Sequence, residues 1–119
     1  MRETTKTITL PVGDESHTFR LTKLDAFTGV KVLRMLSASE AEDLQSLLFS
    51  LPDASLDALM RACLAHAEIS LPAGYVPVFK GDCWGLPDLE YETALCLRLT
   101  GKVADWTLRG FFVEGGQPS

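Results

Sequence analysis

The sequence lacks the residue clusters from which metal and redox sites are built. Its three cysteines, Cys63, Cys83 and Cys96, stand at wide and unrelated spacings, and no CxxC pair occurs. This spacing argues against the common zinc and thioredoxin-like motifs. We therefore expect free thiols that behave as small hydrophobic side chains, and we expect neither a metal nor a cofactor.

Signatures of catalysis are missing as well. Nothing in the chain resembles GxSxG, a Walker loop, GxGxxG or HExxH. The two histidines, His17 and His66, have no metal-ligand partner at helical or turn spacing, and we expect both to be structural. Folding could still assemble an acid/base pair from distant carboxylates. The sequence nevertheless favours a protein that binds other proteins over an enzyme.

Long hydrophobic stretches are also lacking. No apolar run approaches the roughly 18 residues that span a bilayer, and the opening residues 1–5 lack the apolar stretch of a signal peptide. We therefore expect a cytoplasmic protein. The 119 residues, of which 46% are hydrophobic, are enough for one domain. We assign residues 1–113 to this domain and residues 114–119 to a flexible polar tail.

Negative charge dominates the middle of the chain. The net charge is −5, but residues 1–35 carry +2, residues 36–92 carry −8 and residues 93–119 carry +1. The acidic middle repels phosphate backbones, which argues against nucleic acid as a partner. The asymmetry suits docking to a basic protein or head-to-tail self-association. The alternative is a solvated helical face that only maintains solubility.

The N-terminal region has the pattern of a β-hairpin. Apolar and polar residues alternate over 7–12 and again over 17–22, on either side of the turn-forming sequence Gly-Asp-Glu-Ser. The register that pairs Val12 with His17 puts every apolar residue on one face. Pro11 indicates an edge strand or a strand end.

Several helices are predicted after the hairpin. Apolar spacing predicts one over 24–36, and two overlapping capping boxes start a second helix near residues 37–42. Pro52 ends the second helix, and a third follows from residues 53–55. The last helix begins at Asp88 and has the widest apolar face, so we place it at the centre of the core. The predicted apolar face of the first helix consists of Ala26, Phe27, Val30, Leu33 and Leu36.

The stretch between the third and last helices is less regular. Alternation interrupted by prolines predicts a short strand around Tyr75–Phe79, which could pair with the edge of the hairpin, and residues 80–87 are expected to form a loop. Gly101 could kink or divide the last helix. The elements together predict an α+β fold: an N-terminal β-hairpin, with one added short strand as an option, packed beside a bundle of about four α-helices.

Leucine stripes and aromatic residues are the candidates for partner binding. The leucines within 44–51 and 56–64, bordered by acidic residues, could line an apolar groove, or they could be buried against the last helix. Aromatic residues near the C-terminal end could belong to the core or anchor a partner. The candidate partner-binding residues are Glu40, Glu42, Asp43, Leu44, Leu48, Trp106, Phe111 and Phe112.

The segment from Lys6 to Leu33 resembles the opening of tail assembly chaperones from tailed bacteriophages and prophages. Its hairpin leads through the basic stretch Arg20-Leu-Thr-Lys-Leu24 into a helix. Acidic, leucine-rich helices follow, and the last helix ends in aromatic residues between Trp106 and Phe112. The resemblance covers nearly the whole chain and carries no catalytic residue.

The resemblance implies a role in building phage tails in the cytoplasm of the bacterial host. Such chaperones bind the tape-measure protein, keep its apolar helices soluble, help recruit tail-tube subunits and are absent from the finished virion. They tend to self-associate, and many also exist in a longer, frameshifted form. The alternative is a structural tail-completion or connector protein of a phage or prophage particle.

Overall fold

The computed structural model describes residues 4–37 and 44–110. It confirms the predicted α+β fold, with an antiparallel N-terminal hairpin that is extended to four strands and packed with helices. In chain order the elements are β1 (Thr5–Val12), β2 (Glu15–Thr22), α1 (Ala26–Ser37), α2 (Leu44–Ser50), α3 (Asp53–Ala65), β3 (Ala67–Leu71), β4 (Gly74–Pro77), β5 (Phe79–Lys80), β6 (Cys83–Trp84), a 3₁₀ helix (Pro87–Tyr91) and α4 (Thr93–Gly110).

The hairpin forms in a register two residues away from the predicted one. Val12 lies opposite Glu15, and Leu10, not Val12, lies opposite His17. The prediction was wrong because the turn uses two residues and not four. Gly13 takes the first turn position at φ +63°, the sign of φ that a type II′ turn requires there. A shift of two residues preserves the side-chain face, so Phe19 is buried as the pattern required.

The strand that joins the hairpin is β3, and it was not predicted. β3 pairs with β2, placing Ile69 opposite Phe19, whereas β4 pairs with β3 at the far edge of the sheet. The predicted strand around Tyr75–Phe79 therefore ends at Pro77 and does not touch the hairpin edge. The strand order leaves β1 at the other edge, where Pro11 was expected.

Residues 80–87 contain a second, very small hairpin where a loop was predicted. β5 and β6 are joined by Gly81 and Asp82, both at φ +60°, the sign that a type I′ turn requires at both positions. The following Gly85 is sterically required, because a Cβ at that position would lie 2.2 Å from the carbonyl oxygen of Pro77. Because glycine has no Cβ, the small hairpin can pack closely against the end of β4.

α4 is the central helix of the fold, as predicted. It contacts α1, α2, α3, β1 and β2, and it continues through Gly101 without a break. It begins at Thr93 and not at Asp88, because the residues before it form the separate 3₁₀ helix. Its buried face carries Leu95, Cys96, Leu99, Val103, Ala104 and Leu108.

α1 packs through only part of the predicted face: Leu33 packs against the core, but Phe27 and Val30 do not. Phe27 is 85% exposed and Val30 is 54% exposed, whereas Val32 is buried. The helix contacts α4 at Gly29, where an added Cβ would lie 3.4 Å from the methyl group of Thr107. Phe27 and Val30 face outward, whereas Leu33 and Met35 pack against the core.

Candidate functional site

An apolar groove lies between α2 and α4. It has a volume of about 460 Å³. Leu48 and Phe49 of α2 form one side. The other side consists of residues from one face of α4: Ala94, Leu97, Arg98, Gly101, Lys102 and Asp105.

The spacing of the α4 residues explains the shape of the groove. Ala94, Leu97 and Gly101 stand at i, i+3 and i+7 and therefore share one face of the helix. Two of these three side chains are small or absent, so the groove reaches close to the helix backbone. Leu99 and Val103 point to the opposite, buried face. One helix thus supplies both a core face and the floor of an open groove.

The two α2 residues play different parts in the groove. Leu48 is only 4% exposed and holds α2 against the core. Phe49, the next residue, is 66% exposed and forms a wall of the groove that faces solvent. A large aromatic side chain left this exposed is available for a partner, and such residues frequently anchor protein interfaces.

The rim of the groove carries two cations, although the chain as a whole is acidic. Arg98 and Lys102 stand one helical turn apart, and both are exposed. Neither has an ion-pair partner within the described part of the chain. Asp105, one turn further along, already makes an interaction within the structure. The rim therefore offers two cations without an ion pair among the described residues, beside an apolar floor.

The predicted leucine stripes separate into two roles. The stripe within 56–64 belongs to the core, because Leu59, Cys63 and Leu64 are buried and α3 packs against α4. The stripe within 44–51 supplies Leu48 to the groove. The groove is therefore formed by α2 and α4, and not by α2 and α3. The small residues Ala94 and Gly101 of its floor were not singled out from the sequence.

Only some of the predicted partner-binding residues fall in the described part of the chain. Leu48 lines the groove. Leu44 begins α2, but its side chain lies outside the described part. The other predicted residues outside it are Glu40, Glu42, Asp43, Phe111 and Phe112.

Trp106 joins α4 to the hairpin. Its indole Nε1–H donates a 3.3 Å hydrogen bond to the carbonyl oxygen of Thr4. The ammonium groups of Lys6 and Lys23 lie 5.5 Å and 4.8 Å from the ring centroid, within cation–π range. The basic stretch that carried the family resemblance thus meets the C-terminal aromatic region here. Trp106 is not among the groove-lining residues, and its role in partner binding stays a prediction.

Two other exposed apolar sites lie outside the groove. On α1, Phe27 and Val30 lie beside the exposed cations Lys31 and Arg34. At the end of the 3₁₀ helix, Tyr91 is 81% exposed. Neither of them lines the groove, which is the candidate site with a defined cavity volume.

The reactive side chains are held in ordinary structural positions. Cys63 and Cys96 are buried free thiols, whereas Cys83 is exposed and free. Burial raises the pKa of the Cys63 thiol to about 12. Burial, aided by the charge of Glu92, also raises the pKa of Cys96. Both thiols are therefore poor nucleophiles at neutral pH.

The two histidines lie close to the ends of secondary-structure elements. His17 lies near the hairpin turn, with Nε2 3.5 Å from a carboxylate oxygen of Glu15. His66 caps the end of α3, where its Nδ1 lies 2.9 Å from the carbonyl oxygen of Ala62. Across residues 4–37 and 44–110, no group of three or more His, Cys, Asp or Glu side chains is placed to hold a metal ion. No helix in the same ranges has the length and apolar character required to cross a membrane.

Comparison of the chain with protein-family models, with curated proteins and with solved structures gave no match in any of the three.

Proposed function

We propose that this protein is a tail assembly chaperone of a tailed bacteriophage or prophage, acting in the cytoplasm of the host cell. It binds the tape-measure protein, keeps its apolar helices soluble and helps recruit tail-tube subunits, without staying in the mature virion. The observation that carries the proposal is the open apolar groove between α2 and α4, with Phe49 exposed at its wall.

The groove suits this role on physical grounds. A chaperone for aggregation-prone helices needs an apolar surface that is concave enough to cover one helical face, with charges nearby that keep the complex soluble. Complete burial of a phenylalanine such as Phe49 contributes about 1.5–3 kcal/mol. A contribution of that size changes an affinity by roughly 10- to 150-fold, since each 1.4 kcal/mol is a factor of ten.

The order of elements supplies the second support. The hairpin continues through Arg20–Leu24 into α1, and α2, α3 and the long final helix α4 follow later in the chain. This is the order that the resemblance to tail assembly chaperones implies. Within the basic stretch, Leu21 and Leu24 are buried, whereas Arg20 and Lys23 contact aromatic rings. The alternation of apolar and basic residues in this stretch is therefore explained by the fold, in which the leucines are buried and the cations contact aromatic rings.

Co-expression with the tape-measure protein tests the proposal. We expect the soluble fraction of the tape-measure protein to rise several-fold, and a complex to be recovered with this chain. Phe49→Ser should weaken the effect, whereas Phe27→Ser should not, because that phenylalanine is equally solvent-facing but lies outside the groove. No gain in solubility and no complex with the unaltered chain would reject the proposal.

Mass spectrometry of purified particles distinguishes a chaperone from a structural tail protein. A chaperone is expected in lysates and assembly intermediates and missing from particles. Its presence in particles at a fixed copy number would favour a tail-completion or connector protein instead.

A further inference from the structure

The cations on the rim of the groove indicate the charge that a partner would carry there. The chain has a net charge of −5, yet two of the three charged α4 side chains that line the groove, Arg98 and Lys102, are cations; the third is Asp105. By contrast, Arg20 and Arg61 are held in ion pairs with carboxylates of this chain. The two rim cations have no such partner among the described residues.

We propose that the α2–α4 groove binds an amphipathic helix whose apolar stripe is flanked by carboxylates, and that these carboxylates pair with Arg98 and Lys102. This inference rests on the proposed function, because it names the surface and the partner chemistry through which a helix-binding chaperone would act.

The dimensions of the groove favour a helix as its occupant. The α4 residues that line it run from Ala94 to Asp105, which corresponds to about 16 Å or three helical turns. A partner helix laid along this floor would present apolar side chains at i, i+3 or i+4, and i+7. The small residues Ala94 and Gly101 allow its backbone to approach α4 closely, and Phe49 covers it from the side.

The charges favour an acidic helix over a basic one. Carboxylates one turn apart on the partner would lie opposite Arg98 and Lys102, which have the same spacing. At physiological salt, charges further away than about 8 Å are largely screened. The overall negative charge of the chain therefore opposes such a partner only weakly, and the rim decides the preference at contact distance.

Binding of two synthetic helical peptides to the full chain tests the proposal. Both peptides have about 18 residues and the same leucine stripe; one has Glu at the flanking positions and the other has Lys. Affinity is measured by fluorescence anisotropy at low and at high salt. We expect the Glu peptide to bind about fivefold or more tightly than the Lys peptide at low salt, and the difference to shrink at high salt.

The charge-reversed variant Arg98→Glu/Lys102→Glu provides the decisive comparison. Both side chains are exposed, so the variant should fold, which its circular dichroism melt will check. We expect its preference to be reversed, with the Lys peptide binding more tightly. Gly101→Leu, which fills the floor, should weaken both peptides at least tenfold. Reversing Lys31 and Arg34 on α1 in the same way serves as the matched control and should change neither affinity.

Several outcomes would overturn the inference. Equal affinity for both peptides, or an unchanged preference in the charge-reversed variant, would show that the rim does not select the partner. Binding that survives Gly101→Leu would place the interaction elsewhere. A stable oligomer that Gly101→Leu dissociates would make a second copy the occupant. If no peptide binds but the tape-measure protein is still kept soluble, this inference fails while the proposed function stands.

Discussion

The two long faces of α4 differ in how deeply their side chains are buried and in how many contacts these make within the fold. On the core face, Leu99, Val103 and Thr100 are fully buried, and the Thr100 hydroxyl donates a 2.8 Å hydrogen bond to the carbonyl oxygen of Cys96. On the groove face, Leu97 is partly exposed and Arg98 has no ion-pair partner among the described residues. The first face holds the domain together, and the second is left for contact.

Arg61 differs from the groove cations Arg98 and Lys102 in the same way, because its charge is used within the fold. Arg61 pairs with Asp57 at 2.9 Å and with Asp82 at 2.8 Å, and its guanidinium lies 5.4 Å from the ring centroid of Phe79. The hydrogen bonds to Asp57 and then to Asp82 raise the pKa of Arg61. This arginine joins α3 to the β5–β6 hairpin. Among the residues that the structure describes, no ion pair of this kind holds Arg98 or Lys102.

Truncation of leucines on the two faces should break the comparison most clearly. Leu99→Ala should lower the free energy of unfolding by about 2–5 kcal/mol, because it leaves a cavity in the core. Leu97→Ala should cost less than about 1 kcal/mol, because that side chain is already partly in water. Urea unfolding of both variants measures the difference. Equal losses would mean that the groove face is as much a part of the core as the other.

Substitution of two glycines by alanine should give the next largest changes in stability, and the two changes should have opposite signs. Gly85→Ala should cost about 1–3 kcal/mol, because the added Cβ would overlap the carbonyl oxygen of Pro77. Gly29→Ala should be neutral or stabilising by up to about 1 kcal/mol, because its Cβ would make an ordinary contact with Thr107 and alanine favours a helix. Thermal melts of the two variants check both signs; a melting temperature that falls equally in both would contradict them.

The buried thiol on α3 should make the core sensitive to alkali. The pKa of Cys63 is about 12 in the folded protein, compared with an ordinary value of 9.0. The thiol therefore loses its proton at a lower pH in the unfolded chain than in the folded one. Its contribution to stability is therefore complete below pH 9 and is lost as the pH rises towards 12, by about 1 kcal/mol at pH 10.

The measurement is the free energy of unfolding from pH 8 to pH 10.5, compared between the unaltered chain and two variants. Cys63→Ala should show a shallower fall with pH, whereas Cys83→Ala should follow the unaltered chain, because Cys83 is exposed. Identical slopes in all three proteins would refute the assignment to Cys63.

Neutralising a single surface cation should give the smallest effect. Arg61→Gln should lower the melting temperature slightly at low salt and less at high salt, since exposed ion pairs are weak and screened. Arg98→Gln should leave the melting temperature unchanged, because Arg98 has no ion pair to lose among the described residues. A larger loss for Arg98→Gln would mean that the groove rim contributes to the fold.

Sequence periodicity predicted the local elements better than it predicted their orientation. Alternation identified β1 and β2, but not their register, because a two-residue turn and a four-residue turn leave the same side chains on the same face. Helical spacing identified α1, but it placed Phe27 and Val30 on the buried side. Thr107 and Gly29, which meet where α4 packs on α1, are 78 positions apart in the chain. No pattern of neighbouring residues predicts such a contact.

The candidate site was predictable only in part for the same reason. Leu48 was singled out because it belongs to a leucine stripe, and it lines the groove. Ala94, Gly101, Arg98 and Lys102 were not, because nothing in their sequence neighbourhood indicates that α2 lies beside that face of α4. The second leucine stripe could equally have lined a groove or the core, and packing against α4 placed it in the core.

The sequence by itself determined the α+β class, the hairpin, the central role of the last helix and the scarcity of chemical motifs, because each follows from composition or short-range periodicity. The tertiary structure decided the added strand β3, which part of the predicted face of α1 is buried, and the position of the groove. These depend on contacts between residues far apart in the chain, where the shape of one surface selects what can pack against it.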